Sequence, residues 1–336
     1  MSRVILKESS KNFCKLFFNR PQEHNSLNWE MNRALNSDLS EAASLNQKII
    51  FSSTSDKCFH TGGDVVSILH QYQSFPEFGP LAYDSLRKIY EYPEETLSIW
   101  RGSLMGYGIG IAMACKFKLA FENTFWCMPE HRIGIVPDAG TSYYLSHLED
   151  QAFGLFLFLT CKTITGVDCY YSGISSHYME LENLQNFLND IEIENSIKKP
   201  IEKYSNIPSK EDCEYLWYKD EIKAAFGNPE SIEDIIEKLE NINSGFSLAA
   251  ADDLRNSCPL TLKIAFKVFN LAKNKSFNEA LETEKIVDAN LFCYKNENYV
   301  KSVTSRLINK SKERIEWNPS SLGSVTEEMI QDYLKI

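Results

Sequence analysis

The fold is decided by residues 105–140, which read Met-Gly-Tyr-Gly-Ile-Gly at 105–110 and Cys-Met-Pro-Glu-His-Arg-Ile-Gly-Ile-Val-Pro-Asp-Ala-Gly at 127–140. The glycine-rich turn opens a predicted helix, and the second segment carries two carboxylates, Glu130 and Asp138, eight residues apart. Backbone N–H groups at a helix start can stabilise a developing negative charge. Paired carboxylates can act as acid, base or nucleophile. Both parts of an acyl-transfer site therefore fall within this one stretch.

A second glycine-rich turn, Phe-His-Thr-Gly-Gly-Asp, lies upstream at 59–64. It follows the apolar run at 48–52, which predicts a buried strand. Two amide-bearing turns at the ends of two strands can converge on one carbonyl oxygen. The sequence therefore predicts an oxyanion-binding pair of turns.

Composition excludes several classes of protein. The 336 residues include 35 basic and 46 acidic residues, and the net charge of −11 argues against a nucleic-acid surface. The nine cysteines are odd in number and form no Cys-x-x-Cys pair, which favours free thiols in a reducing compartment over disulfides or a zinc site. No apolar run approaches the ~18 residues of a membrane span. Because the first strand begins almost at once, we expect a cytoplasmic protein, with mitochondria as the alternative.

Strands and helices are predicted to alternate over residues 1–190, and helices to follow over 191–336, with 192–211 as the linker. The predicted strands are Val4–Leu6, Cys14–Phe18, Ile49–Ser52, Thr96–Trp100, Phe117–Phe121 and Thr124–Met128. The predicted helices of the first part are 28–43, 68–71, 81–90, 109–116 and 141–148; those of the second are 231–239, 260–273, 277–292, 296–307 and 325–335.

The two glycine turns, together with Asn-Arg-Pro at 19–21 and Trp-Asn-Pro at 317–319, resemble the crotonase (enoyl-CoA hydratase/isomerase) superfamily nearly end to end. The resemblance implies an α/β fold of the crotonase type. Such a fold is a spiral of ββα units, here over 1–190, and would be followed by a C-terminal α-helical region. The resemblance also implies an acyl-CoA substrate whose thioester oxygen is bound by the backbone N–H groups of Gly63 and Tyr107.

One branch of the superfamily resembles this chain most. The catalytic glutamate of the hydratases falls on Gly110, which has no side chain to move a proton. Glu130 keeps the second family carboxylate, and Asp138 stands where hydratases usually have glycine. This combination is similar to the 3-hydroxyisobutyryl-CoA hydrolases, thioesterases of valine breakdown. The resemblance implies that Glu130 attacks the carbonyl or activates water, and that Asp138 orients water or handles the proton.

The resemblance further implies which groups bind the substrate and which partners the chain has. No metal is implied, and no cofactor either, because coenzyme A enters as part of the substrate. An acyl-CoA is the expected small-molecule partner, with no nucleic acid and no membrane, and a homo-oligomer is allowed. The implied CoA- and substrate-binding residues are Glu23, His24, Ser26, Leu27, Gly62, Asp64, Gly106 and Gly108.

Some positions depart from the family pattern or have simpler interpretations. Tyr107 replaces a glycine and Ala82 a glutamate of the hydrolases, changes that we expect to affect the acyl group more than the reaction. Asp138 could instead cap the next helix, and Asp64 could be a polar anchor. We interpret the two histidines of these motifs, at 60 and 131, as pocket-wall or surface residues rather than bases.

The alternative functions are another crotonase-fold acyl-CoA enzyme, such as an enoyl-CoA hydratase or isomerase, and a non-catalytic structural subunit such as a ribosome-associated relative.

Overall fold

The computed structural model describes residues 3–70, 75–293 and 296–335. The chain forms two compact units, and each is assembled from three segments. Unit 1 comprises Met1–Asp64, Leu81–Trp126 and Thr163–Leu216; unit 2 comprises Val65–Pro80, Cys127–Lys162 and Trp217–Ile336. The predicted division near residue 190, between a spiral core and a helical C-terminal region, stays a prediction.

Two sheets are built from the strands of the described chain. The first has the order β1-β2-β3-β5-β7-β10, in which β1 and β2 are antiparallel and the other pairs are parallel. The second has the order β4-β6-β8-β9, with β4 parallel to β6 and β8 antiparallel to β9. The strands are β1 (Ile5–Ser9), β2 (Phe13–Phe18), β3 (Lys48–Ser53), β4 (Cys58–His60), β5 (Thr96–Trp100), β6 (Ser103–Met105), β7 (Phe117–Ala120), β8 (Phe125–Cys127), β9 (Ile164–Thr165) and β10 (His177–Tyr178).

Helices connect these strands and make up most of unit 2. Those up to residue 226 are α1 (Trp29–Ser44), α2 (Val65–His70), α3 (Phe75–Tyr90), α4 (Tyr107–Ala114), α5 (Thr141–Ser146), α6 (Gln151–Thr160), α7 (Gly166–Tyr171), α8 (Leu184–Glu194), α9 (Lys198–Tyr204) and α10 (Glu214–Phe226). Those that follow are α11 (Ile232–Ile242), α12 (Gly245–Asn256), α13 (Pro259–Ala272), α14 (Phe277–Cys293), α15 (Glu297–Val303) and α16 (Glu327–Leu334).

The core of unit 1 explains why the expected linker is not a linker. The stretch 192–211 is polar in composition, yet it contains α9, and Ile197 and Ile201 are fully buried. Both pack in one apolar cluster with residues of the large sheet, including Ile50 and Leu97. Pro200 is tolerated because it lies in the first turn of α9, where its missing N–H has no intrahelical partner to lose. Two apolar residues four apart are a weak signal among many charges.

The core of unit 2 surrounds α6. This helix is apolar on all sides, and every residue from Ala152 to Thr160 is buried. A helix with no polar face must be covered all round, and residues of α5, α12 and α13 pack against it. Gly154 permits the approach of α5, because a Cβ there would lie 2.0 Å from the Leu145 carbonyl oxygen. Unit 2 is therefore a helical assembly around one buried helix.

The six predicted strands are confirmed, with no end displaced by more than three residues. Sequence reasoning missed β4, β6, β9 and β10, which have only two or three residues each. The sequence analysis expected the turn at Gly62 to follow the longer strand β3. In the structure it follows the short strand β4. The predicted helix at 68–71 corresponds to α2, and its last residue, Gln71, lies outside the described residues.

The cysteines and the apolar helices were both considered over the described residues alone. The eight cysteines whose side chains are described are buried free thiols. Within the same residues, no helix combines the length and the apolar character that crossing a bilayer requires.

Candidate active site

The first oxyanion turn of the sequence analysis lies in unit 1, just after β4. Leu27 bridges it in a parallel arrangement: the Leu27 N–H donates to the Gly62 carbonyl at 2.8 Å, and the Asp64 N–H donates to the Leu27 carbonyl at 2.9 Å. In such a bridge the central residue, here Gly63, directs its own N–H away from the partner segment. Within the described residues the Gly63 N–H has no hydrogen-bond acceptor. It is a candidate donor to a ligand.

The second turn lies beside the first because their strands are paired. β4 and β6 are parallel, so their carboxyl ends meet at the same edge of the sheet, and each ends in a glycine turn. Gly106 has φ 51° and ψ −132° and is the N-cap of α4, whose first residue is Tyr107. Gly62 has φ 90°, and a Cβ built on it would lie 3.3 Å from the Gly106 Cα and the Tyr107 N. The structure thus brings the two predicted turns into direct contact.

The Tyr107 side chain is directed into unit 1. Its hydroxyl donates to the Ala82 carbonyl at 2.8 Å and lies 2.9 Å from the Ser85 Oγ, and the residue is 7% exposed. Two departures from the family pattern, Tyr107 and Ala82, are therefore in contact. This contact anchors the start of α4, and hence the second turn, on α3.

We expect Tyr107→Phe to lower the free energy of unfolding by about 1–2 kcal/mol, because the buried Ala82 carbonyl loses a hydrogen-bond donor. Urea unfolding followed by circular dichroism measures this change. Tyr170→Phe is the matched control, since the half-buried Tyr170 hydroxyl makes no hydrogen bond within the described residues. Equal stabilities of the two variants would contradict the anchoring role.

His60 supports both turns and is neither a surface residue nor a base. It is fully buried, and burial lowers its pKa to about 3, with the positive charge of Arg20 adding to the effect. The neutral ring accepts the Gly62 N–H on Nδ1 at 3.1 Å. A Cβ on Gly108 would lie 2.5 Å from the His60 carbonyl oxygen and 2.8 Å from its Cβ. His60 and Gly108 together set the spacing between β4 and α4.

The segment implied to bind CoA is held against the first turn. Arg20 forms an ion pair with Asp64 at 3.0 Å and donates to the Ser26 carbonyl, so Asp64 serves at least as the polar anchor of the simpler interpretation. Asn25 is buried, and its side-chain amide donates to the Cys58 and Phe59 carbonyls. The implied CoA contacts are then placed as follows: Leu27 is buried, Ser26 is half-buried, and Glu23 and His24 are exposed.

The two carboxylates lie in unit 2. Glu130 starts a short 3-10 turn after Pro129, and it is 4% exposed. Its Oε2 has no hydrogen-bond partner within the described residues. Burial raises the pKa of Glu130 well above its usual range, and the negative charge of Asp138 adds to the rise. The predicted pair is therefore electrostatically coupled, which is typical of functional carboxylates.

Asp138 lies on an unusual turn. Ala139 and Gly140 both adopt positive φ values, 61° and 83°. The N-cap of α5 is Gly140, so Asp138 does not occupy the capping position that the simpler interpretation gave it. The Asp138 carbonyl instead accepts from the Thr141 N–H at 3.1 Å and from its hydroxyl at 2.6 Å. The half-buried Asp138 therefore precedes the helix instead of capping it.

Sequence reasoning missed a third carboxylate beside this turn. Glu284 of α14 is 1% exposed and accepts the Gly140 N–H at 2.5 Å and the Ser142 N–H at 2.9 Å. Burial raises its pKa to about 8, and Asp138 contributes to the rise. A signal existed: Glu284 falls on the apolar stripe of α14, with Phe277, Ala280, Leu281 and Leu291.

His131 belongs to the core of unit 2. Its ring nitrogens lie 3.0 Å from the Thr261 Oγ1 and 3.0 Å from the Phe158 carbonyl oxygen, and it is fully buried. Burial lowers its pKa to about 4. It is a hydrogen-bonded core residue and not a surface residue.

Within the described residues no group of three or more His, Cys, Asp and Glu side chains is arranged to bind a metal ion.

Comparison with known proteins identifies the family of this chain. A sequence model of the enoyl-CoA hydratase/isomerase family matches residues 13–334. A mitochondrial 3-hydroxyisobutyryl-CoA hydrolase of Xenopus tropicalis is 29% identical over 94% of this chain and 84% of its own length. The small ribosomal subunit protein mS47 of Neurospora crassa is 27% identical over 96% of this chain and 69% of its own length.

A solved structure shows that the fold is the expected one. The carnitinyl-CoA dehydratase of Mycobacterium thermoresistibile superposes with a TM-score of 0.89, covering 100% of this chain and 97% of its own, at 23% identity. The α/β fold is therefore of the crotonase type, as the family resemblance implied. With the family match over almost its whole length, the chain belongs to the enoyl-CoA hydratase/isomerase family.

Proposed function

We propose that this protein is an acyl-CoA thioester hydrolase, and that its substrate is 3-hydroxyisobutyryl-CoA or a short hydroxyacyl-CoA like it. The observation that carries the proposal is the coupled pair Glu130 and Asp138, with Glu130 buried and its pKa raised. Hydratases of the family use a glutamate at the position of Gly110, and glycine cannot hold or deliver a proton. The relative from Xenopus tropicalis, named as this hydrolase, gives further support.

The proposed reaction needs water and no cofactor beyond the CoA of the substrate. We propose that the thioester oxygen accepts the Gly63 and Tyr107 N–H groups, which stabilise the negative charge as the carbonyl carbon becomes tetrahedral. Glu130 either attacks that carbon and forms an anhydride, or removes a proton from the attacking water. The C–S bond breaks, and the thiolate of CoA takes up a proton from Asp138, which regains one from the water that reacts. Where an anhydride forms, that water then hydrolyses it and frees Glu130. Water supplies the oxygen atom of the acid product.

The test is thiol release across a panel of short acyl-CoA thioesters, followed with a thiol-reactive chromophore. We expect 3-hydroxyisobutyryl-CoA to have a kcat/KM at least about tenfold above that of acetyl- and butyryl-CoA, because a pocket that hydrogen-bonds a hydroxyl discriminates against its absence. Crotonyl-CoA should undergo no hydration, measured by the loss of its enoyl absorbance. Hydration of crotonyl-CoA without thiol release would show a hydratase instead.

The mS47 relative suggests the control for the non-catalytic alternative. If no thioester of the panel is hydrolysed and the native protein elutes with a large particle on gel filtration, the structural role is correct and the enzymatic proposal is wrong.

A further inference from the structure

The turn that carries Asp138 needs support from outside itself. Ala139 and Gly140 are consecutive residues in the left-handed region, with φ 61° and 83°. A non-glycine residue such as Ala139 is disfavoured there, because its Cβ approaches the following carbonyl oxygen. The helix α5 that follows has only six residues, and its N-cap, Gly140, has no side chain to satisfy the N–H groups. Thr141 closes the turn locally by donating its N–H and its hydroxyl to the Asp138 carbonyl, but the Gly140 and Ser142 N–H groups depend on an acceptor from outside the turn.

The support comes from α14, which begins 137 residues after Gly140 in the sequence. One carboxylate oxygen of Glu284 accepts the Gly140 N–H at 2.5 Å, and the other accepts the Ser142 N–H at 2.9 Å. Phe277 of the same helix covers the turn, since a Cβ on Gly140 would lie 2.7 Å from its ring. α14 thus contacts the turn at two points, and both oxygens of Glu284 are used.

We propose that Glu284 is a positioning residue, which fixes the backbone after Asp138 and so sets the position of the Asp138 carboxyl relative to Glu130. A carboxyl that is 1% exposed is costly to bury, and its two N–H donors offset that cost. Charge supports the same conclusion, because the pKa values of Glu130 and Glu284 are both raised in part by Asp138. The part of this inference that concerns turnover rests on the proposed thioester hydrolysis.

The experiment compares Glu284→Gln with Glu284→Asp and with the control Asp288→Asn. Asp288 is one turn further along α14 and 5% exposed, so its variant also removes a buried carboxylate from this helix. Gln keeps the size of Glu284 but presents an NH₂ group to one of the two N–H donors. Asp keeps both acceptor oxygens on a shorter side chain.

Two readouts separate positioning from a merely structural contact. Hydrogen–deuterium exchange of the peptide spanning 139–143 should be about tenfold faster in Glu284→Gln, because an amide loses its acceptor. The kcat for thiol release should fall about 10- to 100-fold, while KM stays within about twofold of wild type. The reason is that the Asp138 carboxyl, which is displaced in the variant, acts on substrate that is already bound. Glu284→Asp should recover part of both, and Asp288→Asn should change neither.

The inference would be overturned if the peptide spanning 139–143 exchanged in Glu284→Gln at the same rate as in wild type. Faster exchange with unchanged kcat would also overturn it, because it would show a contact that matters only for structure. If Glu284→Gln does not fold, Glu284→Asp is compared with wild type by the same two criteria. If wild-type protein hydrolyses no thioester, the proposed function is wrong, and the inference about the turn is then decided by exchange alone.

Discussion

Replacing Glu130 by glutamine should lower kcat for thiol release by about 10³-fold or more, because a neutral amide can neither attack a carbonyl nor accept a proton from water. The side chain keeps its size, so the packing around it is preserved. Stopped assays with the preferred acyl-CoA of the panel measure the change. KM should stay within about threefold, because the lost interaction concerns the transition state and not substrate binding.

Stability should change in the opposite direction from activity. The pKa of Glu130 is raised in the folded protein, first by burial and then by Asp138. The folded state therefore holds a proton that the unfolded chain releases, and stability falls as the pH rises from the unfolded pKa through the folded one. Glutamine carries no such penalty. At pH 8 the free energy of unfolding of Glu130→Gln should equal or exceed that of wild type, so lost activity cannot be ascribed to lost folding.

The same raised pKa predicts the pH profile of the wild-type enzyme. If Glu130 acts in its ionised form, kcat rises with pH through an apparent pKa above the ordinary carboxyl range. The inflection depends on Asp138 as well, because its negative charge adds to the rise in the Glu130 pKa. Asp138→Asn removes the neighbouring charge and should move the inflection to lower pH.

Asp253→Asn is the matched control for Glu130→Gln. Burial also raises the pKa of Asp253, which lies in the same unit and pairs with Arg132 at 3.5 Å. Its variant should keep kcat within about twofold of wild type, and it should change the free energy of unfolding little, since partly exposed ion pairs contribute little to stability. A Glu130→Gln variant that hydrolyses the thioester as fast as Asp253→Asn would place the chemistry elsewhere.

The glycine turns were predictable from sequence because their chemistry is local. Gly62 and Gly106 both have positive φ, which side chains rarely adopt, so glycine is expected there. Long apolar strands such as β3 were predictable for the same reason, since each residue contributes to one pattern. Short strands such as β4 give no periodicity, because three residues cannot establish an alternation.

What sequence could not give is the set of contacts between distant segments. Glu284 lies 144 residues from the amide that it accepts, and no local pattern connects them. The direction of the Tyr107 side chain likewise depends on α3, which supplies the Ala82 carbonyl. One sequence signal for Glu284 was present, a charged residue on an otherwise apolar helical stripe. That signal indicates a buried polar partner but not its identity.

Gly62→Ala should reduce kcat/KM by about 10²–10³-fold, the effect of losing one oxyanion-hole donor. Two effects add at this position. Gly62 has φ 90°, and its Cβ would lie 3.3 Å from the Gly106 Cα and the Tyr107 N. The backbone at residue 62 can rotate out of the positive-φ region, or the two turns can move apart to make room for the Cβ. Either change moves the Gly63 amide relative to the Tyr107 amide. Two donors that diverge cannot both reach one oxygen. Steady-state kinetics and urea unfolding of the same preparation measure the two consequences.

Gly173→Ala separates backbone strain from crowding. Gly173 has φ 78°, and nothing lies within 4 Å of a Cβ built on it. Both variants should therefore lose about 1–2 kcal/mol of stability through the left-handed conformation. Only Gly62→Ala should lose catalysis, because only its Cβ meets the second turn. If the two variants are equally destabilised and hydrolyse the thioester equally fast, the contact between the turns does not serve the reaction, and the oxyanion-binding role of Gly63 and Tyr107 is wrong.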